Sequence, residues 1–334
     1  MVKIKMRKST ITGWGKYVPQ KLLTNKDLEE MVDTSDEWIT SRTGIKQRYI
    51  AADDVSTSDL AYNAAVQALD KANLKASELD MILVATVTPD MAFPSTACIL
   101  EEKLGAENAA TLDIEAGCSG FVYGLSVAHQ FIATEMYDNI LVIGAETLSK
   151  IIDWEDRNTC VLFGDGAGAA VLQPTSKGGF LGFDLGSDGK GGESLYMPGG
   201  GSLNPASSET LKNKMHYIKM EGNQVFKFAV KRMSQGSLDV IEKANLNPDD
   251  IDLFIPHQAN TRIIDAAAKR LNLTEDEVFV NLPYYGNTSS ASVPIALAEA
   301  REENLIQNGD RIVLVAFGAG LTWASSIIEW NEGE

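Results

Sequence analysis

The stretch LDKANLKASELDMIL (Leu69–Leu83) returns, altered but recognisable, as IEKANLNPDDIDLFI (Ile241–Ile255). In both copies KANL leads through an acidic linker to Asp80 or Asp252 and then into an apolar run. The copies lie 172 residues apart (71 and 243). A second pair, YDNILVIGA from Tyr137 and GDRIVLVAF from Gly309, keeps the same spacing at Ile140 and Ile312. Two matches at one offset predict two related halves of roughly equal length, residues 1–175 and 176–334. Whatever one half forms, the other repeats, and the two should face each other pseudo-symmetrically.

Each half reads as alternating helix and strand. In the first, DLAYNAAVQALDKAN is a helix, MILVATV a buried strand, and TACILEEKLG a helix ending at Gly105. NAATLDIE, FVYGLSVAHQFIATE and NILVIGA follow as strand, helix and strand, and TCVLFGDGAGAAVLQP reads as a hairpin pair closing the half. Short apolar strands between helices predict mainly parallel pairing with both sheet faces covered. The glycine- and serine-rich segment Gly186 to Thr210 reads as a long surface loop.

Composition narrows the function. With 334 residues, 44% hydrophobic and 22% charged, the chain is ordinarily globular. A net charge of −17 leaves no basic surplus for general nucleic-acid binding. Cys98, Cys118 and Cys160 form neither a disulfide framework nor a CxxC metal site, which fits a reducing cytoplasm. The basic opening lacks the apolar core of a secretory signal, and no run is long enough to span a membrane.

Three residues stand where chemistry is performed. Cys118, in DIEAGCSGFVYGL, follows a strand and opens a helix, where free N–H groups and the helix dipole favour a thiolate. Such placement predicts a lowered thiol pKa; the plain alternative is a buried small residue. Cys98 and Cys160 fall inside apolar helix and strand patterns and read as packing residues. His257 stands where the strand DLFI ends at Pro256, the strand end at which open α/β sheets place their sites. His129, within a helix, and His216, in a charged loop, read as packing or surface residues. Asn287, in YYGNTSSAS, reads as the counterpart of Cys118 at an offset of 169, allowing a small indel; a helix N-cap is its alternative role.

The ordered set GWGKYVPQ, TSDEWITSRTGI, AGCSGF, DRNTCVLFGDGAGAAVL, PHQAN, GNTSSASVP and AFGAGLTW spans nearly the whole chain. In it the chain resembles the β-ketoacyl-acyl carrier protein synthase III family, of the duplicated, layered thiolase-like αβαβα fold. The resemblance implies a decarboxylating Claisen condensation: Cys118 takes an acyl group from acyl-CoA, with acetyl-CoA the expected primer. Malonyl-acyl carrier protein then loses CO₂ and attacks the acyl-cysteine, giving the 3-oxoacyl-carrier protein that starts type II fatty acid synthesis. No metal or redox cofactor is implied. His257 and Asn287 would hold the malonyl thioester oxygen, and the N–H groups of Cys118 and Ala319 the acyl-transfer oxyanion. Ala319 departs from the glycine of some relatives at little cost if only its amide acts.

The same resemblance assigns the substrate path. Trp38 and Arg157 sandwich the CoA adenine, Arg42 meets its phosphates, and Asn223, Phe226, Ala259 and Asn260 follow the pantetheine tunnel. Leu162, Phe163 and Phe317 join the acyl pocket, and Phe93 reaches that of a neighbouring subunit, implying a homodimer. Thr34, grouped with the CoA residues, would also form a capping box with Glu37. Lys227 and Lys231 lie four apart on one helical face, and Arg262 and Lys269 seven apart on another. Together they suit docking of an acidic carrier protein, with plain solvated faces as the alternative.

Two rivals remain at this stage, besides a related condensing enzyme of secondary metabolism. A cysteine thioester hydrolase would have no use for Asn287 or the duplication. A non-catalytic CoA-binding module would not need Cys118, His257 and Asn287 together.

Overall fold

The computed structural model describes residues 6–331; Met1–Lys5, the start of the basic opening stretch, lie outside it. The first sheet contains β1 (Lys8–Tyr17), β2 (Met81–Ala85), β3 (Ala110–Ile114), β4 (Ile140–Glu146) and β5 (Gly166–Thr175), in the order β1-β5-β4-β2-β3. The second contains β6 (Gly179–Ser187), β7 (Leu253–Pro256), β8 (Arg311–Gly318) and β9 (Thr322–Glu329), in the order β7-β8-β9-β6. The chain passes from one sheet to the other between Thr175 and Gly179.

The repeat keeps its 172-residue spacing in the central parallel strands. Met81 pairs with Ile140 in the first sheet, and Leu253 with Ile312 in the second, both parallel and both displaced by the same 172 positions. The counterpart of β3 has shrunk to a single bridge between Phe254 and Val278.

Five layers result, of the thiolase-like αβαβα kind. Helices α1 (Asp36–Thr43), α2 (Thr57–Lys71), α3 (Thr96–Leu104) and α4 (Gly120–Ala133) belong to the first half of the chain. Helices α5 (Gly222–Lys243), α6 (Thr261–Leu271) and α7 (Ser292–Glu302) belong to the second. Strand side chains alternate between faces. Ile82 and Val84 pack with α2 and α3, whereas Leu83 packs inward with Phe121, Leu125, Val293 and Leu297 of α4 and α7. In the second sheet Ile312 and Leu314 face that central layer, and Val313 and Val315 face α5 and α6. Each fully buried Leu or Ile contributes about 1.5–3 kcal/mol, so register and layering enforce each other.

Several expectations are corrected. The sheets are mixed, because β5 lies antiparallel to both β4 and β1, and β9 to both β8 and β6. The stretch read as a hairpin pair is one helical turn, Arg157–Cys160, then the single strand β5. Cys160 is therefore buried in a helix rather than a strand, and Cys98 is exposed. The Gly186 to Thr210 segment is largely exposed, as expected of a surface loop, but it is anchored where Leu195–Tyr196 pairs with Lys219–Met220 and Ser194 is buried. Finally, α1 starts from Ser35, whose Oγ accepts from the Trp38 N–H at 3.1 Å. The expected Thr34–Glu37 box does not form, because Ser35 rather than Thr34 is the N-cap.

Candidate active site

The two central helices, α4 and α7, each follow a short helical turn, Gly117–Ser119 and Ser289–Ala291. These turns, and the helix starts at Gly120 and Ser292, are again 172 residues apart. The counterpart of Cys118 is therefore Ser290, not Asn287, and the alignment with a small indel is corrected. Asn287 stands three residues earlier, on the approach to the turn.

Cys118, His257 and Asn287 line one cavity of about 480 Å³. Asn287 is held across the halves: its N–H donates to Leu162 O at 2.9 Å, and Gly164 N–H donates to its carbonyl at 3.0 Å. Its Oδ1 accepts from Ser289 N–H at 2.9 Å, which leaves the amide NH₂ to the cavity.

His257 is buried at the end of β7, and its Nδ1 lies 2.6 Å from Ser292 Oγ. Ser292 Oγ accepts from Gln258 N–H at 3.2 Å, and among the described residues Nδ1 is the acceptor within reach of its own proton, so the hydroxyl is satisfied by donating to Nδ1. Nε2 then carries the ring proton, and it has no partner among the described residues. Burial pushes the imidazole down to about 3, so it is neutral. The site therefore holds two neutral donors whose strength does not depend on pH near neutrality.

Cys118 departs from expectation. Burial pushes its thiol up to about 12, while the Ser289 hydroxyl favours the thiolate and the Glu115 carboxylate opposes it. The resting nucleophile is a thiol. The helix position stabilises charge that develops during attack but does not by itself ionise the thiol. Glycines at the joint bring two backbone amides together. A Cβ on Gly318 would lie 2.3 Å from Cys118 N, and one on Gly117 would lie 2.6 Å from Ala319 N. The Cys118 and Ala319 amides are thus neighbours, as an oxyanion pair requires.

Trp38, Arg42, Asn223, Phe226, Ala259 and Asn260 line the same cavity toward its mouth. Leu162, Phe163 and Phe317 lie on its walls, with Phe317 edge-on to His257 at 5.2 Å. The guanidinium of Arg157 stacks directly on Trp38, 5.1 Å from the ring centroid, and Arg42 lies at 4.9 Å. An adenine entering between Trp38 and Arg157 has to part them. Thr34 is not in the cavity lining, and its buried hydroxyl has no hydrogen-bond partner among the described residues. Phe93 stands away from the cavity, 84% exposed. Lys227, Lys231, Arg262 and Lys269 are all exposed on the paired helices α5 and α6, and Arg262 lies 5.0 Å over the Phe226 ring. Elsewhere His129 bonds Ser9, and His216 bonds Thr210.

Sequence reasoning missed Ser292, Ser289 and Glu146. The serine-rich SSAS and the lone acid closing the apolar strand NILVIGAE were their only signals.

Two family models match: 3-oxoacyl-[acyl-carrier-protein (ACP)] synthase III over residues 112–189, and its C-terminal domain over residues 241–330. The chain is 64% identical to a beta-ketoacyl-[acyl-carrier-protein] synthase III of Caldanaerobacter subterraneus, over 96% of this chain and 98% of that one. It belongs to the 3-oxoacyl-[acyl-carrier-protein] synthase III family. The synthase III of Clostridioides difficile is 53% identical over 97% of this chain and 99% of its own. Among solved structures, the synthase III of Thermus thermophilus superposes with a TM-score of 0.91 at 47% identity, covering 97% of this chain and all of that one. The priming β-ketosynthase of the R1128 polyketide pathway reaches 0.90 at 34% identity, with 98% of each chain covered. The synthase III relatives thus share both sequence and thiolase-like fold across nearly the whole chain. Among the described residues, no helix is long and apolar enough to cross a membrane.

Proposed function

We propose that this synthase III family member primes type II fatty acid synthesis, condensing an acyl-CoA with malonyl-acyl carrier protein. The observation that carries the reading is the convergence of one thiol and two neutral donors, the Asn287 NH₂ and the His257 Nε2–H, on a single cavity. Cys118 Sγ attacks the acyl-CoA carbonyl beside the Cys118 and Ala319 amides, a carbon–sulfur bond to CoA breaks, and the thiol proton leaves with the CoA sulfur. Malonyl-acyl carrier protein then loses CO₂. The enolate oxygen is met by His257 and Asn287, and its carbon attacks acyl-Cys118, returning the sulfur, which takes up a proton. Both donors act where negative charge grows, which is where fixed dipoles accelerate a reaction most.

Trp38, Arg42 and Arg157 suit the nucleotide end of CoA, and Asn223, Phe226, Ala259 and Asn260 its pantetheine arm. The exposed cations of α5 and α6 suit an acidic carrier protein, because they form a local basic face on a chain of net charge −17. A homodimer is supported by exposed Met91, Phe93 and Leu112 and by β3 at the open edge of its sheet. The same reading places the enzyme in the cytoplasm, with acetyl-CoA as primer and no cofactor beyond its thioester substrates.

The test is to supply a mixture of acyl-CoAs with malonyl-acyl carrier protein. Acyl-Cys118 by mass spectrometry, CO₂ and a 3-oxoacyl-carrier protein are the expected products. Free acid without a new carbon–carbon bond would make the protein a hydrolase instead.

A further inference from the structure

Glu146, the last residue of β4, is fully buried behind the nucleophile, and the condensation described above does not use it. It lies where the halves touch. A Cβ on Gly144 would meet Ser290 O at 2.2 Å, so the Ser289–Ala291 turn rests directly on the β4 backbone. Ser289 in that turn holds a left-handed φ of +49°, a conformation a non-glycine residue keeps only under surrounding constraint.

The hydrogen bonds around Glu146 fix where its proton is. Oε2 accepts from Thr88 Oγ1 at 2.6 Å, Val87 N–H at 3.1 Å and Thr86 Oγ1 at 3.2 Å. Oε1 lies 2.8 Å from Ser290 Oγ and 3.1 Å from Ser289 Oγ. Ser290 Oγ is also 2.8 Å from the carbonyl of Ala85, which can only accept. Ser290 has one proton, and it goes to Ala85. The short contact on its other side is then satisfied only if Oε1 donates. Ser289, whose proton an ionised Oε1 would hold at 3.1 Å, is also the hydroxyl that favours the Cys118 thiolate.

We infer that Glu146 is a positioning residue for the condensation site. Held as a neutral carboxylic acid, it donates to Ser290, fastens the turn that follows Asn287 to the nucleophile's sheet, and leaves the Ser289 hydroxyl to Cys118. An ionised Glu146 would claim both serine protons and set a buried negative charge against the developing thiolate. Burial drives the carboxyl in the same direction, above its ordinary range. This role rests on the condensation reading only for its effect on turnover; the protonation state stands on the hydrogen bonds.

Glutamine reproduces the neutral acid, with an NH₂ to donate and an oxygen to accept. Infrared difference spectra of the full chain, wild type minus Glu146→Gln, are expected to show a protonated-carboxyl band at pH 7. Iodoacetamide alkylation of Cys118, followed on its peptide by mass spectrometry, is expected to keep its pH profile in Glu146→Gln. Glu146→Ala is expected to lower kcat for condensation about tenfold with the KM for acyl-CoA little changed, and Gln to restore it. Absence of the band, or alkylation about tenfold faster in Glu146→Gln, would show an ionised Glu146 and overturn the inference. Wild-type turnover in Glu146→Ala would overturn the positioning role. Should the alanine variant not fold, the band and the alkylation profile still decide, and neither needs malonyl-carrier protein. Their failure is therefore distinct from failure of the condensation reading.

Discussion

Cys118 and Ser290 occupy equivalent positions in the two halves, each the middle residue of the helical turn before a central helix. Around Cys118 stand His257 and Gly318. At the same spacing around Ser290 stand Ala85, whose carbonyl accepts the serine proton, and Glu146, whose carboxyl binds the serine oxygen. One joint is open to a cavity. Its mate is filled and hydrogen-bonded, so the duplication yields one site rather than two.

Cys118→Ser is expected to lower acylation by acyl-CoA by about three orders of magnitude or more, because a buried hydroxyl is far less acidic than the thiol. Intact-mass spectrometry after incubation with acyl-CoA checks it. Full labelling of the variant would remove Cys118 as nucleophile.

Asn287→Ala separates the half-reactions. It removes a cavity donor and leaves the Cys118 and Ala319 amides in place. CO₂ release from malonyl-carrier protein is expected to fall about 10²–10³-fold, with acyl-Cys118 still forming. The reverse pattern would refute this division of labour.

Ser292→Ala deletes the hydroxyl that fixes the His257 tautomer. Decarboxylation is expected to drop roughly 10–100-fold, the range seen when an orienting partner of a functional histidine is lost. Unchanged decarboxylation would show that Nε2–H needs no support.

The pH dependence follows from the two buried groups. The Cys118 thiol, pushed up to about 12, is protonated below that value. Its alkylation in the empty site should rise steadily from pH 7 to 10 without a plateau. His257, pushed down to about 3, stays neutral above that value. Decarboxylation should therefore show no acid limb near 6.5, where an ordinary histidine gains its proton; a limb there would place a charged imidazole in the mechanism.

Gly318→Ala would put a methyl group 2.3 Å from Cys118 N, against backbone that cannot turn aside. Overpacking of this kind costs about 1–3 kcal/mol. A lower melting temperature and impaired acylation are expected together, and wild-type values for both would contradict the close approach.

The sequence by itself determined the duplication, the layered α/β plan and the three reactive residues, because these reside in local signals. Apolar periodicity, the KANL repeat, a cysteine between glycines and a histidine at a strand end need no distant partner to be read. The helix ending at Gly105 was legible for the same reason. Strand direction was not, since an apolar strand such as β5 looks alike whether it runs with or against β4. The equivalence of Cys118 with Ser290 needed the helix starts, because GNTS resembles GCSG more closely than SSAS does. Only the tertiary structure decided that the Cys118 thiol is buried and protonated at rest, since desolvation depends on everything packed around a group. It alone brought Glu146 to Ser289 and Ser290 across 143 and 144 positions of chain, where hydrogen-bond geometry assigns a proton that no local pattern encodes.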